Sequence, residues 1–253
     1  MTARRNLGLF WPTVLSAIAL VALIGLGAWQ MQRLAWKNNL IAQIESRVVA
    51  APMPFTEALE RARKGEDLEY TRVAVSGQFM PGIERHLWVA SSAGPGWHIY
   101  APMATQGGAG PVLIVNRGFV PDARRAASSR PEPALAGEVA LVGLLRKPEV
   151  SATFTPDNDV ARNIWHWRDL AGMARSMLPE AKTRVALFFL DAEKGSPAGP
   201  LGPQGGVTRL EIANNHLQYA MTWFGIAATL IGVYVAFARS RLQRVREDTS
   251  RAI

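Results

Sequence analysis

Two stretches of the chain run for 22 residues each without a charge: 7–28 (LGLFWPTVLSAIALVALIGLGA) and 217–238 (LQYAMTWFGIAATLIGVYVAFA). At about 1.5 Å of rise per residue each would be a helix of about 33 Å, enough to cross a hydrocarbon core of about 30 Å. Trp11 and Trp29 bracket the first run and Trp223 stands early in the second, as interfacial aromatic belts require. The first run also fits a cleaved export signal, with Gly25 and Gly27 as the small-residue site, or a twin-arginine signal led by Arg4 and Arg5. Its length, and its continuation into WQMQRLAWK without a break, favour a retained anchor.

Between the runs the period changes. Residues 30–49 continue as helix until Pro52 and Pro54 stop it, and 55–64 (FTEALERARK) predicts a short helix opened near Thr56 and closed by Gly65. Segments 70–79, 86–90, 97–103, 112–120, 139–146 and 185–191 are short, β-branched or aromatic, and separated by Gly and Pro, which predicts strands. Residues 163–178 predict a helix from the apolar stripe Leu170, Met173, Ala174 and Met177, with Pro179 ending it. The Gly- and Pro-rich stretch 195–206 predicts a surface loop. The expected class is therefore α+β: a mainly antiparallel sheet with a few helices, flanked by two transmembrane helices. The expected boundaries are a tail at 1–6, a span at 7–29, an outer domain at 30–215, a span at 216–238 and a basic tail at 239–253.

Charge then sets an orientation. Arg239, Arg241, Arg244, Arg246 and Arg251 follow the second span and only Arg209 lies close before it, which places the C-terminus in the cytoplasm. A two-span chain returns Arg4 and Arg5 to the same side, while Arg33 and Lys37 weaken the first span's own preference. Of 28 basic and 20 acidic residues the two tails hold seven and two, so most of the net +8 is a topology signal rather than a nucleic-acid surface. The mean hydropathy of +0.04 is likewise an average over two apolar spans and a polar domain. No cysteine is present, which excludes disulfides, cysteine-ligated metals and thiol nucleophiles.

Catalytic constellations are not visible in the sequence: it shows no phosphate loop, zinc-protease helix or nucleophile elbow, and no enzymatic turnover is expected. His86, His98, His166 and His216 lack ligand spacing, and Met53, Met80 and Met103 do not cluster as a copper site would. Asp157 and Asp159 in TPDND suit a turn better than a catalytic pair. Arg117 in VNRGF is either a structural arginine paired across the sheet or a ligand contact. At the mouth of the second span His216 shares a helical face with Ala220 and Trp223, and Gly25, Trp29, Arg33, Trp36 and Lys37 stripe the end of the first. Meeting there, they would join an imidazole able to ligate haem iron, flanking tryptophans, and cations for propionates. An interfacial histidine with a structural hydrogen bond is the competing reading.

GAWQMQRLAWK at 27–37, VNRGFVP at 115–121 and NNHLQYAMTWF at 214–224 resemble, in order and spacing, three segments of the Surfeit locus protein 1 family. Phe119 departs from the tryptophan that many members carry. The resemblance implies an assembly factor for cytochrome c oxidase in a bacterial inner membrane, with both termini cytoplasmic and the central domain periplasmic. It implies that haem a is bound transiently, with His216 as the metal ligand and Trp223, Trp29 and Arg33 as further cofactor contacts, and is inserted into the haem-bearing oxidase subunit. Haem a synthase and the lipid bilayer are further implied partners, and nucleic acid is not. The alternative is a cofactor-free scaffold that stabilises the nascent oxidase subunit. The short N-terminus without a basic, Ser-rich presequence fits the bacterial type.

Overall fold

Helix α1 (Ala3–Val49) runs through the first apolar stretch and beyond it without interruption, so the span and the amphipathic segment after it are one 47-residue helix. Helix α4 (His216–Ser250) contains the second. Their apolar parts have mean hydropathies of 2.2 and 1.8, and both are long enough to cross a bilayer. The computed structural model describes residues 3–91, 94–130, 137–178, 183–195, 202–208 and 214–250, without the side chains of 3–7, 248 and 249. Arg209, Arg251, Pro179 and the middle of the expected Gly/Pro loop, 196–201, lie outside the described residues. Two units are distinct: Met1–Gln43 with Glu211–Ile253, and Ile44–Leu210.

In the helical unit the less exposed positions of α1 include the row Ser16, Leu20, Leu23, Gly27, Gln30, Leu34, Lys37 and Ile41, with Leu9, Pro12, Val14 and Leu40 beside it. Those of α4 are His216, Ala220, Trp223, Ala227, Leu230, Tyr234 and Ala238. Alternating steps of three and four residues are the seam of a left-handed helix pair. Thr13 meets Tyr234, Gln30 meets His216 and Asn38 meets Asn214, so the pair is antiparallel. A Cβ at Gly27 would lie 2.5 Å from the Phe224 ring, so this glycine makes room for the ring of Phe224 against α1.

Among its described residues the second unit has seven strands: β1 (Met53–Pro54), β2 (Arg72–Phe79), β3 (Arg85–Ser91), β4 (Gly94–Thr105), β5 (Val112–Pro121), β6 (Val139–Arg146) and β7 (Val185–Ala192). Among the described residues its α-helices are α2 (Phe55–Arg63) and α3 (Leu170–Met177). The sheet order is β1-β2-β6-β7-β5-β4-β3, with β2 also paired to β4. β1–β2 and β5–β7 are parallel and the other pairings antiparallel, as a mainly antiparallel sheet requires. The extra pairing closes β2, β6, β7, β5 and β4 into a ring. Gly77 is the corner: it pairs with Val139 on β6 and with Thr105 on β4, and a Cβ there would lie 2.4 Å from the Ala104 carbonyl oxygen.

Alternation along the closed strands makes two apolar layers. One side gathers Val73, Val75, Met103, Leu113, Val115, Leu145 and Leu190 with Phe55 and Ala58 of α2. The other puts Tyr100, Ile114 and Phe189 against Met173 and Met177 of α3 and against Trp165. The expected helix at 163–178 is shorter than the pattern suggests. Asn163 has φ +55°, Ile164 bridges Asp159, and Trp165 pairs with Leu87 at the edge of β3. The helix starts only after Asp169, whose side chain accepts from the Gly172 N–H at 2.9 Å. A fully buried Trp165, hydrogen-bonded to β3 through both its N–H and its C=O, outweighs the helical periodicity of its neighbours.

Candidate functional site

Polar side chains on membrane-spanning helices need partners, because lipid supplies none. The helix pair meets that demand at several levels. Thr222 and Thr229 donate to the carbonyls of Gln218 and Gly225 one turn back. Across the pair, the Thr13 hydroxyl meets the Tyr234 hydroxyl and Asn214 Nδ2 donates to Asn38 Oδ1 at 2.8 Å. Between these lies the rung made by His216 Nδ1 and Gln30 Oε1, also at 2.8 Å. The amide oxygen accepts only, so Nδ1 donates, which in a neutral imidazole leaves the lone pair on Nε2. Among the described residues no hydrogen bond reaches Nε2.

The other residues singled out from the sequence fall on different faces. Trp223 lies two turns along α4 from His216, half-buried on the same seam. Trp29 adjoins Gln30 in sequence but is 54% exposed, off the seam. Arg33 is also exposed, with its guanidinium 3.9 Å from the centre of the Trp36 ring, while Lys37 is half-buried on the seam. Gly27 rather than Gly25 makes the close approach, since a Cβ at Gly25 would touch nothing. The seam thus joins His216 and Trp223 with Gln30 and Lys37, and leaves Trp29 and Arg33 on the outward face of α1. Gln30, Asn38 and Asn214 were the residues missed. Gln30 alone carried a local signal, a polar side chain at seam spacing on α1; nothing local marked Asn38 and Asn214 as partners.

The sheet domain holds two buried polar clusters. Asp191 of β7 is 3% exposed and accepts from Asn116 Nδ2 (2.9 Å), Arg146 Nη1 (3.1 Å) and Thr208 Oγ1 (2.9 Å). Arg146 also donates to Glu69 at 2.9 Å, and Arg168 lies 4.0 Å from Asp191. Burial, helped by the Asp191 charge, pushes the Tyr100 hydroxyl far above its ordinary range, so it stays protonated. In the second cluster Glu84 accepts from His86 Nε2 (2.7 Å) and Arg130 Nη2 (2.5 Å), and His86 Nδ1 accepts from Arg125 Nε (3.2 Å). His86 is therefore satisfied on both nitrogens.

Arg117 is buried, its guanidinium 5.4 Å from the centre of the Phe79 ring. Asp159 accepts from the Arg162 N–H at 2.9 Å, the bond of a turn. No group of three or more His, Asp or Glu side chains among the described residues is placed to hold a metal ion.

These features define a class: an α+β domain carried between two helices of membrane-spanning length, with polar rungs across the helix pair. The chain belongs to the SURF1 family, whose model matches residues 17–228. It is similar to Surfeit locus protein 1 of Homo sapiens, 37% identical over 225 residues that cover 82% of this chain and 71% of that protein. The Xenopus tropicalis protein of the same name is 36% identical over 224 residues, covering 82% and 69%. A SURF1-like protein of Monosiga brevicollis is 33% identical over 251 residues, covering 94% and 90%.

Proposed function

We propose that this chain is a membrane assembly factor for cytochrome c oxidase, which holds haem a through His216 and passes it to the haem-bearing oxidase subunit. Family membership supports the assembly role. The observation that carries the haem assignment is the state of His216: on an apolar helix pair, half-buried, with Nδ1 bonded and Nε2 without a protein partner among the described residues. A neutral imidazole presenting Nε2 is an axial ligand for haem iron. Trp223 on the same seam offers a flat apolar face, and Lys37, with Arg33 and Trp29 further round α1, offers cations and an aromatic plane to the edge of a porphyrin.

Haem a is cargo in this reading, and the chain performs no turnover of its own. One protein ligand on an open seam suits reversible holding better than a closed pocket does. The arginines that follow the second span support a reading with both termini in the cytoplasm of a bacterial cell and residues 30–215 in the periplasm. Haem a synthase is the proposed donor, and the surrounding bilayer holds both spans.

Co-expression with the enzymes of haem a synthesis, followed by pyridine haemochrome assay of the purified protein, tests the assignment. Haem a should co-purify with the full chain, and His216→Ala should lose at least about tenfold of it. Unchanged haem a in His216→Ala overturns the ligand assignment. If the oxidase subunit also co-purifies from cells unable to make haem a, and His216→Ala leaves oxidase activity intact, the chain is a cofactor-free scaffold.

A further inference from the structure

Resting on the reading of His216 as an iron ligand, we propose that Gln30 is its positioning residue, fixing the tautomer and ring orientation that present Nε2 to the metal. The histidine has two chemically distinct nitrogens, and only the one without a proton can bind iron. Left alone on an apolar seam, the ring would exchange its proton between them and turn about its side-chain axis. Gln30 Oε1 at 2.8 Å from Nδ1 removes both freedoms, because an amide oxygen can only accept. Metal-bound histidines commonly donate their other N–H in this way, and the acceptor raises the ring's donor strength.

The placement of Gln30 is as informative as its distance. It lies on the α1 seam, three residues after Gly27, whose missing Cβ leaves room for the Phe224 ring of α4. The bond spans 186 residues of sequence and joins the segment 27–37 to the segment 214–224. A bonded rung can also serve only to hold helix register, as buried polar residues do in coiled coils. That role would leave the electronic state of a bound haem untouched, and this separates the two possibilities.

The test uses the full chain loaded with haem a in co-expressing cells, with Gln30→Leu and Gln30→Glu compared with the unaltered protein. The haem midpoint potential and the rate of haem transfer to apomyoglobin are measured for each. Gln30→Leu, close in size and without an acceptor, should release haem about 10- to 100-fold faster. Gln30→Glu, which keeps the acceptor and strengthens it, should retain haem at the unaltered rate or slower, with a lower midpoint potential. The inference is overturned if Gln30→Leu matches the unaltered protein in both readouts, or if Gln30→Glu loses haem as fast as Gln30→Leu. Far-UV circular dichroism and thermal midpoints of both variants show whether the helix pair is intact. Haem retained by His216→Ala defeats the underlying reading instead, whatever Gln30 does.

Discussion

The carboxylate of Asp191 and the guanidinium of Arg146 form a buried ion pair, Oδ2 to Nη1 at 3.1 Å, between adjacent strands of the closed ring. Asn116 binds the other carboxylate oxygen from the opposite neighbour of β7, and Thr208 ties in a following segment. Removing the carboxylate leaves Arg146 its bond to Glu69 but strands much of a buried positive charge. Asp191→Ala should cost about 3 to 5 kcal/mol, measured as a loss of thermal stability of the full chain in detergent. Asp191→Asn, which keeps an acceptor, should cost less.

Glu84 ties a loop to the edge of the sheet through His86 and Arg130. Burial pushes its carboxyl up, and the bond from His86 with the charge of Arg130 more than reverses this, leaving it below the usual glutamate range. A carboxyl with a lowered folded value contributes stability that is complete above its unfolded value. That stability is lost as pH falls through the folded one. The thermal midpoint should therefore drop as pH falls below about 4.3, and Glu84→Gln should flatten its share of that drop.

Gly118, in the VNRGF segment, has φ +123°, and a Cβ there would lie 2.1 Å from the carbonyl oxygen of Gln204. Backbone cannot swing aside as a side chain can. Phe119 and Gln204 exchange backbone hydrogen bonds at 3.0 and 2.9 Å, so the clash falls on a paired segment. Gly118→Ala should add about 1 to 3 kcal/mol of backbone strain before the clash is counted, and should undock residues 202–208. Limited proteolysis should then cut after Gln204 faster than in the unaltered chain.

At Gly27 the obstacle is the Phe224 ring, 2.5 Å from a Cβ. Gly27→Leu should displace the Phe224 ring and overpack the helix contact at a cost of about 1 to 3 kcal/mol, read as a lower thermal midpoint in detergent. Gly25→Leu is the control, because nothing lies within 4 Å of its Cβ, and it should leave the midpoint unchanged.

The two spans and the strand positions were legible because each is a local property: a run of apolar residues, an alternation. A four-residue step puts Trp29 and Arg33 on one stripe with Gly25. A seam between helices repeats every 3.5 residues, and that drift moved the stripe off the contact and put Gly27 and Gln30 on it. The helix expected at 163–178 began late for a comparable reason: Asn163 in a left-handed conformation and Trp165 bonded to β3 take their states from the sheet edge.

By itself the amino-acid sequence determined two helices of membrane-spanning length, an α+β domain between them free of disulfides, and the family to which the chain belongs. These follow from composition and order along the chain, which no partner residue has to supply. Tertiary structure alone decided that the sheet closes through Gly77, that Asp191 gathers three donors, and that Gln30 meets His216. Each of these depends on atoms brought together across long stretches of chain, where local periodicity carries no information about which residue will be the neighbour.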